Sequence, residues 1–186
     1  MKRIVLLICT LLLAQNAQAV FLIGYESARY KFEGNEKITS IPGFEVGVGF
    51  PSDSKLSIGG DLLLSIKPHK LKLNGYNKFY KVNSMHLDIF LKYNFMNHTT
   101  PYLILGGTGS MVFPSKTNAS WKEIEGLKIE TKYDYGLLFG AGIQIELYTV
   151  TLRIESRYRL GLANIDLEGI KFRRNTFLVI LNVYFF

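Results

Sequence analysis

Ser84, His86 and Asp88 stand at alternate positions in the segment from Asn83 to Phe95. On an extended strand they share one face. A hydroxyl, an imidazole and a carboxylate on one face are the parts of a hydrolytic relay, in which the histidine takes the serine proton and the acid orients the histidine. The spacing argues against it. Same-face neighbours on a strand lie about 6.6 Å apart, from a rise of about 3.3 Å per residue, too far for a direct hydrogen bond without side-chain reach or a bridging water. A histidine held in a polar network is the favoured reading. The chain has only three histidines. His69 lies among Lys67, Lys70 and Lys72, and His98 lies in a short connector.

Other chemistry is equally sparse. No set of His, Asp and Glu shows a metal-ligand spacing that stands out. Gly106-Gly107-Thr108-Gly109 and Gly140-Ala141-Gly142 lack the following helix that a phosphate-binding loop requires. Within strands they mark close backbone approach or curvature. The sequence therefore predicts no enzyme, with no catalytic, cofactor-binding or metal-ligating residue and no cofactor. What stands out instead is a set of charges on alternating faces. The acids are Glu26, Glu45, Asp61, Asp88, Asp134, Glu146 and Glu155; the bases are Lys92, Arg153, Arg157 and Arg159, with His86 beside them.

These residues must be positioned by strands. No helical period is sustained, and the dominant period is two. In Asn83 to Phe95, Met85, Leu87, Ile89, Leu91, Tyr93 and Phe95 fall on one face; Ser84, His86, Asp88, Lys92 and Asn94 fall on the other, with Phe90 the exception. Tyr133 to Ile145 and Thr149 to Leu162 repeat the alternation, the latter with Arg153, Glu155, Arg157 and Arg159 on the polar side. Phe21–Tyr30, Phe44–Phe50, Leu56–Ile66, Tyr102–Phe113 and Thr176–Phe186 bring the expected strands to eight. Thirteen Phe, 11 Tyr and 17 Gly against five Pro suit such a fold.

The first 19 residues read differently. Met1-Lys2-Arg3 is basic, Ile4 to Leu13 is apolar, and Ala17-Gln18-Ala19 offers the small residues of a cleavage site. This is the pattern of a secretory signal peptide, and ten apolar residues are too few to span a bilayer. The domain expected after it covers residues 20–186. Cleavage would remove the single Cys9 and, with it, any disulfide or thiolate chemistry. It would also remove Lys2 and Arg3, taking the net charge from +7 to +5.

Connector lengths alternate. Residues 51–55, 97–101 and 147–148 are short; 31–42, 67–81, 114–132 and 166–174 are long. Short turns at one end and long loops at the other, around an even number of strands, predict an all-β fold: an eight-stranded antiparallel transmembrane up-and-down β-barrel. A soluble barrel would point its apolar face inward. Charges clustered on the polar faces suit a crowded lumen instead. Aromatics also gather at both strand ends, as in interfacial girdles: Phe50, Tyr93, Phe95, Tyr102 and Tyr184 at the short-turn end, and Tyr30, Phe79, Tyr80, Phe113, Tyr133 and Tyr158 at the other.

Two further patterns support the barrel. The chain ends Asn182-Val183-Tyr184-Phe185-Phe186. A terminal Phe186, with Tyr184 two residues before it, resembles the signal that outer-membrane barrels present to their assembly machinery. Thr100-Pro101-Tyr102-Leu103, Gly136-Leu137-Leu138-Phe139-Gly140-Ala141-Gly142, the stretch from Arg157 to Ile165 and Arg173-Arg174-Asn175-Thr176-Phe177 are similar to the small outer-membrane beta-barrel domain family that includes PorT-like proteins. The match is best from Pro101 to Phe186. If Phe186 faces lipid, so do Tyr184, Ile180, Leu178 and Asn182, which leaves Phe177, Val179, Leu181, Val183 and Phe185 inside. That demands either a bulge in the last strand or a small apolar core in the interior.

The expected place is the outer membrane of a Gram-negative bacterium. The expected role is non-enzymatic, structural or interactive, and the resemblance implies secretion or envelope assembly. A narrow channel for small solutes is the alternative, and a lipid-modifying enzyme a third. Partners would be the bilayer, outer-leaflet lipid phosphates, the assembly machinery and another envelope protein, with no nucleic acid, and the chain would be a monomer. A loop surface of Lys70, Lys72, Lys78, Trp121, Arg173 and Arg174 is the candidate docking region.

Overall fold

The computed structural model describes residues 20–32, 38–50, 54–67, 69–73, 79–96, 100–114, 133–167 and 170–185. The expected signal peptide, Lys78, Trp121 and Phe186 lie outside the described residues.

Long strands dominate: β1 (Val20–Phe32), β3 (Gly43–Phe50), β4 (Leu56–Lys67), β6 (Phe79–Asn94), β7 (Thr100–Pro114), β8 (Tyr133–Glu146), β9 (Val150–Gly161) and β11 (Ile170–Phe185). Each pairs antiparallel with the next in this order, and β11 pairs with β1. The result is a closed eight-stranded antiparallel barrel with no free edge, since every backbone row in the ring has a partner. Three short strands were expected as loop: β2 (Ile38–Ile41), β5 (His69–Leu73) and β10 (Ile165–Leu167). β2 pairs with β5, β5 with the start of β6, and β10 with the start of β11. They lengthen the wall at the long-loop end.

The barrel wears its apolar residues outside. On β6, Met85, Leu87, Ile89, Leu91 and Tyr93 are exposed, while Ser84, His86, Asp88, Phe90, Lys92 and Asn94 are buried. Ile58 on β4 is 72% exposed and Leu105 on β7 is 57% exposed. A chain folding in water does not leave such a belt uncovered, because transfer of each large apolar side chain out of water is worth about 1.5–3 kcal/mol. The pattern is that of a wall built for hydrocarbon.

β11 differs from the sequence expectation. Tyr184, Asn182, Ile180, Leu178, Thr176 and Arg174 face inward, and Phe177, Val179 and Leu181 face out. Both faces of this strand are apolar over several residues, so hydropathy could not choose between them. The polar groups of Arg174, Thr176 and Asn182 decide it, because they need partners that hydrocarbon cannot supply. The interior does contain a small apolar core, formed by Leu22, Leu63, Leu178, Ile180 and Tyr184. A second cluster joins Phe90, Tyr102, Ile104 and Leu138. Tyr102 and Tyr184 thus leave the expected outer girdle, whereas Tyr93, Phe95, Tyr133 and Tyr158 are exposed. Gly142 is required where it stands. A Cβ there would lie 2.6 Å from the Tyr102 ring.

Candidate functional site

β9 delivers Arg153, Glu155, Arg157 and Arg159 to the lumen at every second position. Arg157 and Arg159 extend across the barrel to strands that are not wall neighbours of β9, whereas Arg153 and Glu155 meet the adjacent strands β8 and β11. Arg157 Nη1 lies 2.5 Å from Asp61 on β4 and 3.4 Å from Asp88 on β6. Arg157 Nε donates to Glu155 Oε2 at 2.7 Å, and Nη2 also pairs with that oxygen. The guanidinium sits 4.8 Å above the Phe90 ring, which explains an aromatic on the polar face of β6. Asn182 Nδ2 donates to the other Glu155 oxygen at 2.5 Å. Arg159 donates to Asp88 Oδ2 from Nη2 at 2.9 Å and from Nε at 3.2 Å, and its Nη1 reaches Glu45 on β3 at 3.1 Å.

Above and below this middle layer the lumen is also filled. Towards the short turns, Lys92 Nζ donates to Gln144 Oε1 at 3.1 Å, and Arg153 Nε donates to the same oxygen at 2.6 Å. Arg153 lies 4.2 Å over the Tyr184 ring and donates to its hydroxyl. Lys92 stands 4.5 Å over the Tyr102 ring. Towards the long loops, Arg174 Nη2 donates to Ser110 at 2.8 Å, and Arg174 Nε is 3.5 Å from Asp134.

The buried charges differ in two places from those expected. Glu146 is exposed at the end of β8, where it accepts from Gln144 Nε2 at 3.0 Å. Arg174, expected on a loop surface, is buried in the lumen with 3% exposure. Its position follows from the corrected face of β11. Among the described residues, the buried acids are then Glu26, Glu45, Asp61, Asp88, Asp134 and Glu155, and the buried bases are Lys92, Arg153, Arg157, Arg159 and Arg174, with His86 beside them. These two changes bring acids and bases near to balance. Balance matters because an unpaired ion in a narrow lumen costs several kcal/mol in lost hydration.

Of the remaining loop candidates, Lys78 and Trp121 lie outside the described residues. Lys70 and Lys72 lie on β5. Arg173 is exposed and donates to Asn164 at 2.9 Å.

The serine–histidine pair is closer than strand spacing suggested. Ser84 Oγ lies 2.8 Å from His86 Nε2, so side-chain reach closes the gap. Yet the arrangement is no relay. Glu45 Oε1 is 3.1 Å from the same Nε2, whereas Nδ1 has no partner among the described residues. A relay needs the nucleophile on one ring nitrogen and the acid on the other. Asp88, the acid the sequence offered, is taken by the two arginines. Sequence spacing also missed a constellation. Glu26 on β1, Glu45 on β3 and His86 on β6 bring one ligand-type atom each to within 4.8 Å of one another. Sixty residues of chain separate its ends, so only the barrel's register could reveal it.

Comparison with known proteins agrees with this architecture. The outer membrane protein OprG from Pseudomonas aeruginosa is similar to the chain at 16% identity and a TM-score of 0.59, covering 91% of this chain and 95% of that one. Neisserial surface protein A, NspA, is similar at 15% identity and a TM-score of 0.51, covering 91% and 98%. No family model matches the chain. No curated protein matches it either.

Proposed function

We propose that the chain is an integral outer-membrane barrel of a Gram-negative bacterium, exported by a cleavable signal peptide, with a non-enzymatic structural or interaction role in the cell envelope. One observation carries this reading. The lumen is packed with charges joined in ion pairs, while the wall carries an exposed apolar belt. Such a dressing suits a bilayer, and a lumen cross-linked by ion pairs suits a plug better than a path. The resemblance of the C-terminal half to PorT-like proteins extends the role to secretion or envelope assembly. Basic residues near the headgroups would meet outer-leaflet phosphates. Phe186 would be read by the assembly machinery, and the long loops would meet another envelope protein.

Two measurements test the proposal together. The full chain, expressed in a Gram-negative host, is expected in the outer-membrane fraction after carbonate extraction. The purified barrel in planar bilayers is expected to give no stable openings. Recovery from the soluble periplasm would refute the membrane assignment, and steady openings of porin size would replace the plug by a channel.

A further inference from the structure

We infer that Glu26, Glu45 and His86 form a binding site for one divalent transition-metal ion of the Zn2+ type inside the barrel. Two carboxylates and one imidazole are the mixed oxygen and nitrogen donors that such ions take. All three residues are fully or almost fully buried. They come from three strands of the rigid wall, so the backbone already holds them together. The geometry fits. Four ligands about 2.0–2.1 Å from a tetrahedral zinc lie about 3.4 Å from one another. Glu45 Oε1 and His86 Nε2 are 3.1 Å apart. Glu26 needs only a side-chain adjustment, since its ligand atom is within 4.8 Å of the other two.

The surroundings supply what a metal site needs beyond its ligands. The second oxygen of Glu45 accepts from Arg159 Nη1 at 3.1 Å, which fixes the carboxylate and leaves Oε1 for the ion. Ser84, which now meets His86 Nε2, has Ser65 as another partner at 3.0 Å and can give up the ring nitrogen. His86 also lines a cavity that admits water, together with Thr108, Ser110, Asp134, Arg159 and Arg174. This cavity lies on the long-loop side of the lumen. It leaves room beside His86 for one water as a fourth ligand. Its polar lining also offers an acceptor region for the His86 Nδ1 proton once Nε2 is bound, and that Nδ1 has no partner among the described residues.

Glu26 and Glu45 are in side-chain hydrogen-bond contact, and the imidazole faces Glu45, so the three donors already converge on one point of the lumen.

The test uses the full barrel, folded in detergent micelles, stripped with chelator and titrated with Zn2+ by calorimetry. One ion per chain is expected. Glu26→Gln and His86→Gln are each expected to weaken binding at least about tenfold. A His69→Ala/His98→Ala double variant, which removes the other two imidazoles, is expected to bind as the parent does. Folding of each variant is checked by its heat-modifiable migration. If His86→Gln fails to fold, Co2+ bound to the parent decides. Visible absorption of a low-symmetry, four- or five-coordinate site with a nitrogen donor supports the assignment. The weak spectrum of the hexa-aquo ion overturns it. Absence of stoichiometric binding, or binding that survives Glu26→Gln and is lost with His69 and His98, also overturns it.

Discussion

Arg157→Met removes the charge at the centre of the lumen and keeps much of the side chain's bulk. Arg157 is 1% exposed and pairs with Asp61 and Glu155, with Asp88 further away at 3.4 Å. Asp88 retains Arg159 at 2.9 Å in the variant, so its loss is small. Glu155 retains the neutral Asn182 amide with the Tyr102 hydroxyl beside it, and Asp61 loses the Arg157 guanidinium. Breaking a buried ion pair by removing one partner costs about 3–5 kcal/mol, most of it for the carboxylate left behind. The folded-to-unfolded ratio should then fall by between about two and four orders of magnitude, at about 1.4 kcal/mol per decade. Reversible urea unfolding in lipid vesicles, followed by tryptophan fluorescence and gel migration, measures this as a lower midpoint. Adding Asp61→Asn and Glu155→Gln to Arg157→Met should return most of the loss, since the stranded charges are then gone. A loss below about 1 kcal/mol for the single variant would place the pair in the class of solvated surface bridges and refute the buried network.

Two further outcomes follow from the wall. Ile89→Arg puts a charge on the exposed belt of β6 near mid-barrel and should cost about 2–4 kcal/mol in a bilayer, seen as loss of the heat-modifiable band, while Ile89→Leu should assemble normally. Gly142→Ala should lower the unfolding midpoint because its Cβ meets the Tyr102 ring at 2.6 Å, whereas Gly109→Ala, with nothing within 4 Å of the new atom, should leave it unchanged.

The barrel was legible because β6, β8 and β9 alternate apolar and polar residues with few exceptions, Phe90 and Leu138 among them. Arg153, Glu155, Arg157 and Arg159 on one face gave β9 a clear polar side, and the charge clusters with the aromatic girdles turned that side inward. The face of β11 was not legible. Phe177, Val179 and Leu181 compete with Leu178, Ile180 and Tyr184, and no local signal ranks two apolar faces. β5 hid for another reason. His69-Lys70-Leu71-Lys72-Leu73 alternates, but it lies amid lysines that read as loop. The cluster of Glu26, Glu45 and His86 joins β1, β3 and β6, and Ser65, paired with Glu45 across β3 and β4, is a small residue between them. Sequence does not record that register.

Arg157 and Arg159 of β9 act as spokes. Wall hydrogen bonds join each strand only to its two neighbours, and a ring of hinged staves can flatten into an ellipse. Arg159 reaches Glu45 across 114 residues of chain, and Arg157 reaches Asp61, so chords cross the ring where the perimeter alone would yield. Lateral pressure from the bilayer is then carried by the diameter as well as the rim. In a flatter, open sheet these partners stand farther apart, so joining β1 to β11 closes the ring and holds the chords at bonding distance.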